Sequence, residues 1–259
     1  MSTLIDTRSV VSTPWIEYNK PNPQERLRLF CFPYAGGGAS VFRGWVDRMP
    51  GIVEVCPVQL PGRETRMKEA PFNRLSTLVR AAAQALLPYL EKPFAFFGHS
   101  MGALVSFEIA RELRRRHDLE PVHLFVSGRW PPQMPDHSDP TYDLPDAQFM
   151  KELHSLNGTP KEVLDHPALM ALMLPMLRAD FEVCQTYDYV DEPPLSCPLT
   201  VFGGLQDEPD RKSLETWHEQ TTASFSLRML PGDHFFLHTA QSQLIRIVAQ
   251  ETEPGSFID

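Results

Sequence analysis

Three side chains that together can break an acyl bond occur in this chain in a telling order. Ser100 stands between two glycines in Gly98-His99-Ser100-Met101-Gly102, an acidic loop around Asp207 follows much later, and His234 comes near the end. A serine hydroxyl becomes a nucleophile only when a base takes its proton, and the base works only when a third group orients it. The surroundings of Ser100 suit that task. The apolar run Phe94-Ala95-Phe96-Phe97 reads as a buried strand. After the serine, Ala103, Leu104, Phe107 and Ala110 recur at helical spacing, with Glu108, Arg111 and Arg114 on the other side. Strand, tight turn and helix with a serine at the apex is the setting in which Gly-x-Ser-x-Gly carries nucleophilic chemistry; without it, the pattern is an ordinary strand-to-helix turn. The two glycines remove Cβ atoms that would collide across the turn. The helix that starts there aims its free N–H groups and positive dipole end at the reacting oxygen.

The partners have rivals. Glu208 and Asp210 compete with Asp207, which is preferred because it lies nearest the strand Leu199-Thr200-Val201-Phe202-Gly203-Gly204. Asp233 adjoins His234, but neighbours on an extended loop point apart. Of the nine histidines, His99 lies inside the turn and is expected to pack or orient. His238 falls on the following helix, and His137, His154 and His166 read as solvated positions.

Other elements must bring these groups together. Leu27–Phe32 is a short strand running into Pro33-Tyr34-Ala35-Gly36-Gly37-Gly38-Ala39. A Walker-type phosphate loop is excluded there because Lys-Ser/Thr is missing. The glycines instead suit a loop that presents backbone N–H groups to an oxyanion. Val53–Leu60 is a second strand, ending at Pro61-Gly62-Arg63. A helix is expected over Leu75–Leu90, strands at His123–Gly128 and Phe225–Leu230, and helices over Arg211–Gln220 and Gln241–Ala249. Strands alternating with helices give a mostly parallel sheet. Residues 1 to about 24 are read as a loose arm, and Arg63 and Arg66 as a solvated loop or a local basic face. Between about 130 and 189 the strand rhythm stops. Helices are expected at Asp146–Leu156, Lys161–Asp165 and Ala168–Phe181, the last rich in Leu and Met. Adaptable Met side chains suit a lid over acyl chains, although plain packing on the sheet gives the same pattern. The expected organisation is one domain over 1–259 with a helical lid inserted at about 130–189. The order Ser, Asp, His, each in a loop after a strand, is that of the α/β-hydrolase fold.

Composition agrees. The 259 residues are 42% hydrophobic, enough for one large core. A net charge of −9 argues against a nucleic-acid partner. No run approaches the ~18 apolar residues of a membrane span, and Met1–Lys20 lacks a signal-peptide pattern. The cysteines Cys31, Cys56, Cys184 and Cys197 have no metal-ligand spacing, and the chemistry needs neither metal nor cofactor. These features fit a reduced, cytoplasmic compartment, and nothing demands more than a monomer. The basic run Arg114-Arg115-Arg116-His117 is read as cations complementing a helix C-terminus, roughly 20 Å from Ser100.

Five segments in order, Phe-Pro-Tyr-Ala-Gly-Gly-Gly at 32–38, Gln-Leu-Pro-Gly-Arg-Glu at 59–64, Gly-His-Ser-Met-Gly-Ala at 98–103, Ser-Gly-Arg at 127–129 and Gly-Asp-His-Phe-Phe-Leu at 232–237, resemble the type II thioesterases. These are stand-alone editing enzymes of polyketide and nonribosomal peptide synthesis. The resemblance runs from about Leu27 to Ala249. It implies an α/β-hydrolase with a helical lid that hydrolyses acyl thioesters on the phosphopantetheine arms of carrier proteins. By position it makes Ser100 the nucleophile, Asp207 the acid, His234 the base, and the N–H groups of Ala35 and Met101 the oxyanion hole. Tyr34 stands where relatives often carry His, and the acid loop reads Gln-Asp-Glu-Pro-Asp in place of a simple Asp-Pro. Two other readings stay open on the residues alone: a carboxylesterase or lipase, and a non-catalytic acyl-ligand receptor on the same fold.

Overall fold

A computed structural model describes residues 13–18, 20, 24–134, 139–156 and 164–253. Its centre is a six-stranded sheet of β1 (Leu27–Phe32), β2 (Val53–Pro57), β3 (Phe94–His99), β4 (His123–Ser127), β5 (Leu199–Gly204) and β6 (Phe225–Leu230). The spatial order is β2-β1-β3-β4-β5-β6, and every neighbouring pair is parallel. The chain moves from β1 to β2 on one side, then returns past β1 to place β3 on the other. That reversal opens a crevice beyond the carboxyl ends of β1 and β3, where open parallel sheets hold their sites.

Helices cover both faces: α1 (Arg43–Val46), α2 (Leu75–Leu86), α3 (Met101–His117), α4 (Asp146–Ser155), α5 (Pro167–Gln185), α6 (Arg211–Glu215), α7 (Phe236–Thr239) and α8 (Gln241–Glu251). Successive strand residues point to opposite faces, and both faces are apolar. Phe30, Phe32 and Phe96 pack with Leu78, Ala82 and Leu86 of α2 and Leu104 and Phe107 of α3. Leu29, Cys31 and Phe97 pack with Trp45 of α1 and Leu244, Ile245 and Val248 of α8. The helices between β4 and β5 form a third cluster of their own, with Phe149, Leu153, Leu164, Met170, Met176 and Leu177 buried together. On α5, Leu169 and Leu172 face outward, the latter 53% exposed.

Several expectations need correction. The described part of the N-terminal arm is not loose. Trp15 and Ile16 are buried, Ile16 bridges Val58, and the Arg66 guanidinium lies 4.5 Å from the Trp15 ring centroid. Residues 1–12 lie outside the described residues, as do 157–163, which hold most of the helix expected at Lys161–Asp165, and His137. The helix expected at Ala168–Phe181 runs from Pro167 to Gln185. That expected at Arg211–Gln220 is α-helical only to Glu215 and tightens to a 3-10 turn over Thr216–Gln220. The basic run ends α3 before a left-handed Asp118, with Arg114 paired to Glu192 and Arg115 and Arg116 to Glu112. No described helix is long and apolar enough to cross a membrane.

Candidate active site

The turn between β3 and α3 is built by collision avoidance. A Cβ on Gly98 would lie 2.2 Å from the carbonyl oxygen of Gly102, and one on Gly102 would lie 2.1 Å from that of Phe32. With both absent, α3 starts immediately above the ends of β1 and β3. Ser100 absorbs the reversal at φ +55° and ψ −115°, a conformation that costs a non-glycine residue on the order of 1–3 kcal/mol. Its N–H donates to the carbonyl of Ser127 at 2.8 Å, tying the apex to the end of β4. Met101 is the first helical residue, so its N–H has no intrahelical acceptor.

Asp207 and His234 come from neighbouring strand ends. The loops after β5 and β6 are stapled together: the Gln206 N–H donates to Gly232 O at 3.0 Å, and the Gly232 N–H donates to Gln206 Oε1 at 2.8 Å. That staple sets His234 Nδ1 at 3.1 Å from each carboxylate oxygen of Asp207. The Asp207 side chain is buried and that of His234 is one-third exposed. With Nδ1 engaged, Nε2 is the nitrogen available to a substrate or to serine. The rival carboxylates do not face His234. Asp210 caps α6 by accepting from the Ser213 N–H at 2.8 Å, Asp233 accepts from the Phe235 N–H at 2.9 Å, and Glu208 is exposed.

The structure thus joins Asp207 to His234 and sets Ser100 beside His99, whose ring lies 5.3 Å from that of His234. Among the described residues, Ser100 makes no side-chain hydrogen bond to His234; such contacts are commonly long until substrate is bound. His99 is fully buried. Its Nε2 sits 2.9 Å from His234 O and its Nδ1 2.9 Å from Ser127 Oγ. A carbonyl only accepts, so Nε2 carries the proton and Nδ1 accepts from Ser127. Burial first, then the His234 charge, hold its pKa well below the usual histidine range. His99 is therefore a neutral strut under the base, as its place inside the turn leads one to expect. His238 is held by its Nε2 contact with Tyr34 Oη at 3.0 Å.

Over the other side of the crevice lies the loop after β1. The Gly37 N–H donates to Tyr34 O at 2.9 Å and the Gly36 N–H to Asp180 Oδ2 at 2.8 Å, while the Ala35 N–H makes no hydrogen bond among the described residues. Arg63 and Arg66 correct the expectation of a solvated loop or basic face. They are 4% and 7% exposed, and Arg63 makes a two-pronged ion pair with Asp180 of α5. Asp180 and the pairing were missed in the sequence. The one signal available was a carboxylate in a Leu/Met-rich helix that also carries Arg178 and Glu182. Its partner lies 117 positions away, which no local pattern reveals.

A parallel sheet with a strained serine apex at its switch point, and a carboxylate-held imidazole from the last two strand ends, defines an α/β-hydrolase. The comparisons narrow that class. The thioesterase domain model matches residues 27–252. GrsT, a gramicidin S biosynthesis protein of Aneurinibacillus migulanus, is 49% identical over 238 residues, covering 92% of this chain and 93% of its own. LgrE of Brevibacillus parabrevis, named a linear gramicidin dehydrogenase, is 49% identical over 239 residues and 90% of each chain. Among solved structures, the type II thioesterase BorB from the borrelidin biosynthetic cluster superposes with a TM-score of 0.85 at 30% identity, over 93% of this chain and 99% of its own. The chain belongs to the thioesterase family, in its type II branch of polyketide and nonribosomal peptide pathways, and is a thioester hydrolase.

Proposed function

We propose that Ser100, His234 and Asp207 hydrolyse acyl groups held as thioesters on the phosphopantetheine arms of carrier proteins, clearing aberrant or stalled acyl chains. The observation that carries this reading is the Asp207 carboxylate spanning His234 Nδ1, with the His234 ring 5.3 Å from that of His99, the residue next to the strained Ser100. The Ser100 proton passes to His234 Nε2 as Oγ bonds to the thioester carbonyl carbon. Asp207 holds the Nδ1–H tautomer and favours the imidazolium. The N–H groups of Ala35 and Met101 take the oxyanion, each donor typically contributing about 2.7–4 kcal/mol. The C–S bond breaks, the thiol leaves with the proton from His234, and the acyl group stays on Ser100. His234 then takes a proton from water, hydroxide attacks the ester, and the free acid departs as Oγ regains its proton. A thiol with a pKa near 8.5 leaves readily, so the acid step is less demanding than in amide cleavage.

The chain is one domain in which α4 and α5 form a lid over the crevice that receives the carrier-borne acyl chain. It works as a cytoplasmic monomer. The names of relatives tied to gramicidin S and borrelidin biosynthesis support the carrier-borne substrate. The dehydrogenase in one relative's name finds no counterpart here: the loop after β1 reads Tyr34-Ala35-Gly36-Gly37-Gly38-Ala39, without the spacing of a dinucleotide fingerprint. The test is thiol release from a propionyl N-acetylcysteamine thioester and from an acylated carrier protein. Wild type is expected to turn both over and Ser100→Ala to lose at least ~10³-fold. Equal turnover by the two proteins would remove Ser100 from the mechanism.

A further inference from the structure

The oxyanion loop is gripped by a buried ion pair that belongs to two other parts of the chain. Arg63 comes from the loop after β2 and Asp180 from α5, and they are 4% and 2% exposed. Nη1 and Nη2 of Arg63 donate to Oδ2 and Oδ1 of Asp180, both at 2.7 Å. The same groups reach the loop backbone. Asp180 Oδ2 accepts from the Gly36 N–H at 2.8 Å, and Arg63 Nη1 donates to Gly37 O at 3.0 Å. The helix also rests on the loop directly, because a Cβ on Gly36, at φ +81°, would lie 2.7 Å from Leu177 Cδ2. Leu177 precedes Asp180 by three positions and so shares its helix face. Gln59 closes the loop from below, with its Oε1 accepting from the Ala39 N–H at 2.8 Å and its Nε2 donating to Arg63 O at 3.0 Å.

These contacts fix the direction of one N–H group. A peptide unit is planar and trans, so the Ala35 N–H points opposite to the Tyr34 carbonyl. The Gly37 N–H holds that carbonyl. Asp180 holds the next peptide plane through the Gly36 N–H. The Ala35 N–H is thereby clamped from both sides. A buried ion pair is a poor device for stability, since apolar residues of the same volume usually do as well or better. Its hydrogen bonds to the loop backbone point to another use.

We infer that Asp180, through Arg63, is a positioning residue that sets the Ala35 oxyanion donor, so that the loop is competent only while α5 is seated. This deepens the reading above and rests on it. Acyl chains that displace α5 would pull the carboxylate from the Gly36 N–H and leave Arg63 buried without its partner. Hydrolysis is then tied to how the acyl chain fits beneath the helix.

The test is the double variant Arg63→Met/Asp180→Leu, beside Asp180→Asn. Single removal of one charge strands the other and endangers folding, whereas the double change removes both and is expected to fold, with an unfolding midpoint lowered only by the unpaired Gly36 N–H and Gly37 carbonyl. In the double variant kcat for a propionyl thioester is expected to fall on the order of 10²-fold with KM within about threefold, as for a misplaced catalytic group. Amide exchange at Gly36 is expected to speed up at least tenfold. A double variant that folds, keeps kcat and keeps Gly36 protected overturns the inference. So does one that loses kcat only in step with lost folded protein. If wild type itself releases no thiol, the thioesterase reading fails and takes the catalytic role of the clamp with it. Gly36 exchange still reports whether the carboxylate holds the loop.

Discussion

Gly102→Ala is a one-carbon change whose effect follows from three distances. The added Cβ would sit 2.1 Å from Phe32 O, 2.5 Å from Phe32 C and 2.7 Å from Pro33 O, all backbone atoms. Real Cβ contacts stay beyond 3.0 Å, so the start of α3 and the end of β1 must part by about 0.9 Å. No side chain can swing away to relieve the clash. Overpacking of this kind costs about 1–3 kcal/mol of stability. The catalytic loss is larger, because the two elements forced apart carry the two proposed oxyanion donors, Met101 on α3 and Ala35 just beyond β1. A misplacement near 1 Å costs about 10²-fold in rate. Thiol release from a propionyl N-acetylcysteamine thioester should therefore fall ~10²-fold in kcat, with a urea midpoint lowered by the smaller stability term. Gly44→Ala is the control. Its Cβ would meet nothing closer than Gln241 Oε1 at 3.5 Å, and alanine in α1 should leave activity unchanged and stabilise by about 0.4–1 kcal/mol. Gly102→Ala with kcat within threefold of wild type would refute the argument that α3 and β1 jointly frame the oxyanion site.

The remaining predictions concern the acid, its rival and a buried histidine. Asp207→Asn should keep the fold and lower kcat on the order of 10⁴-fold by allowing the wrong His234 tautomer. Asp210→Ala should cost about 1 kcal/mol by uncapping α6 and leave kcat unchanged. The reverse pattern in the same kinetic and urea-unfolding assays would reassign the acid. His123 stacks on Phe125 with centroids 4.1 Å apart, and burial lowers its pKa to about 4 from 6.5. The folded state therefore disfavours its protonation. This makes no difference above pH 6.5, and stability is lost as pH falls from 6.5 towards 4. At pH 5 the loss is about 2 kcal/mol. The fall in urea-unfolding free energy between pH 7 and pH 5 should shrink by about that amount in His123→Gln, and an identical fall in both proteins would contradict the assignment.

What depends on near neighbours in the chain is legible in the residues alone. The elbow is legible because the strand before Ser100, the helix after it and the collision that requires Gly98 all lie within a few residues, whereas the collision that requires Gly102 is with Phe32, far off in sequence. The strands were legible because their apolar runs are short and bounded, and the order Ser100, Asp207, His234 because each follows such a run. The order of the arm is not legible, because Trp15 and Ile16 are held by Val58 and Arg66, contacts that leave no periodic trace in Pro-bearing sequence. The burial of Arg63 is not legible either, because an arginine in a loop is ordinarily solvated and its burial depends on Asp180 arriving from α5. Proximity to a strand end already favours Asp207 over Asp210 in the sequence; the tertiary structure adds that one meets an imidazole and the other caps a helix. Only it made Asp180, and not its helix neighbour Glu182, the acceptor for the Gly36 N–H. Both decisions turn on hydrogen-bond geometry between segments far apart in sequence, and local residue patterns cannot encode an angle between strands or the seat of a helix.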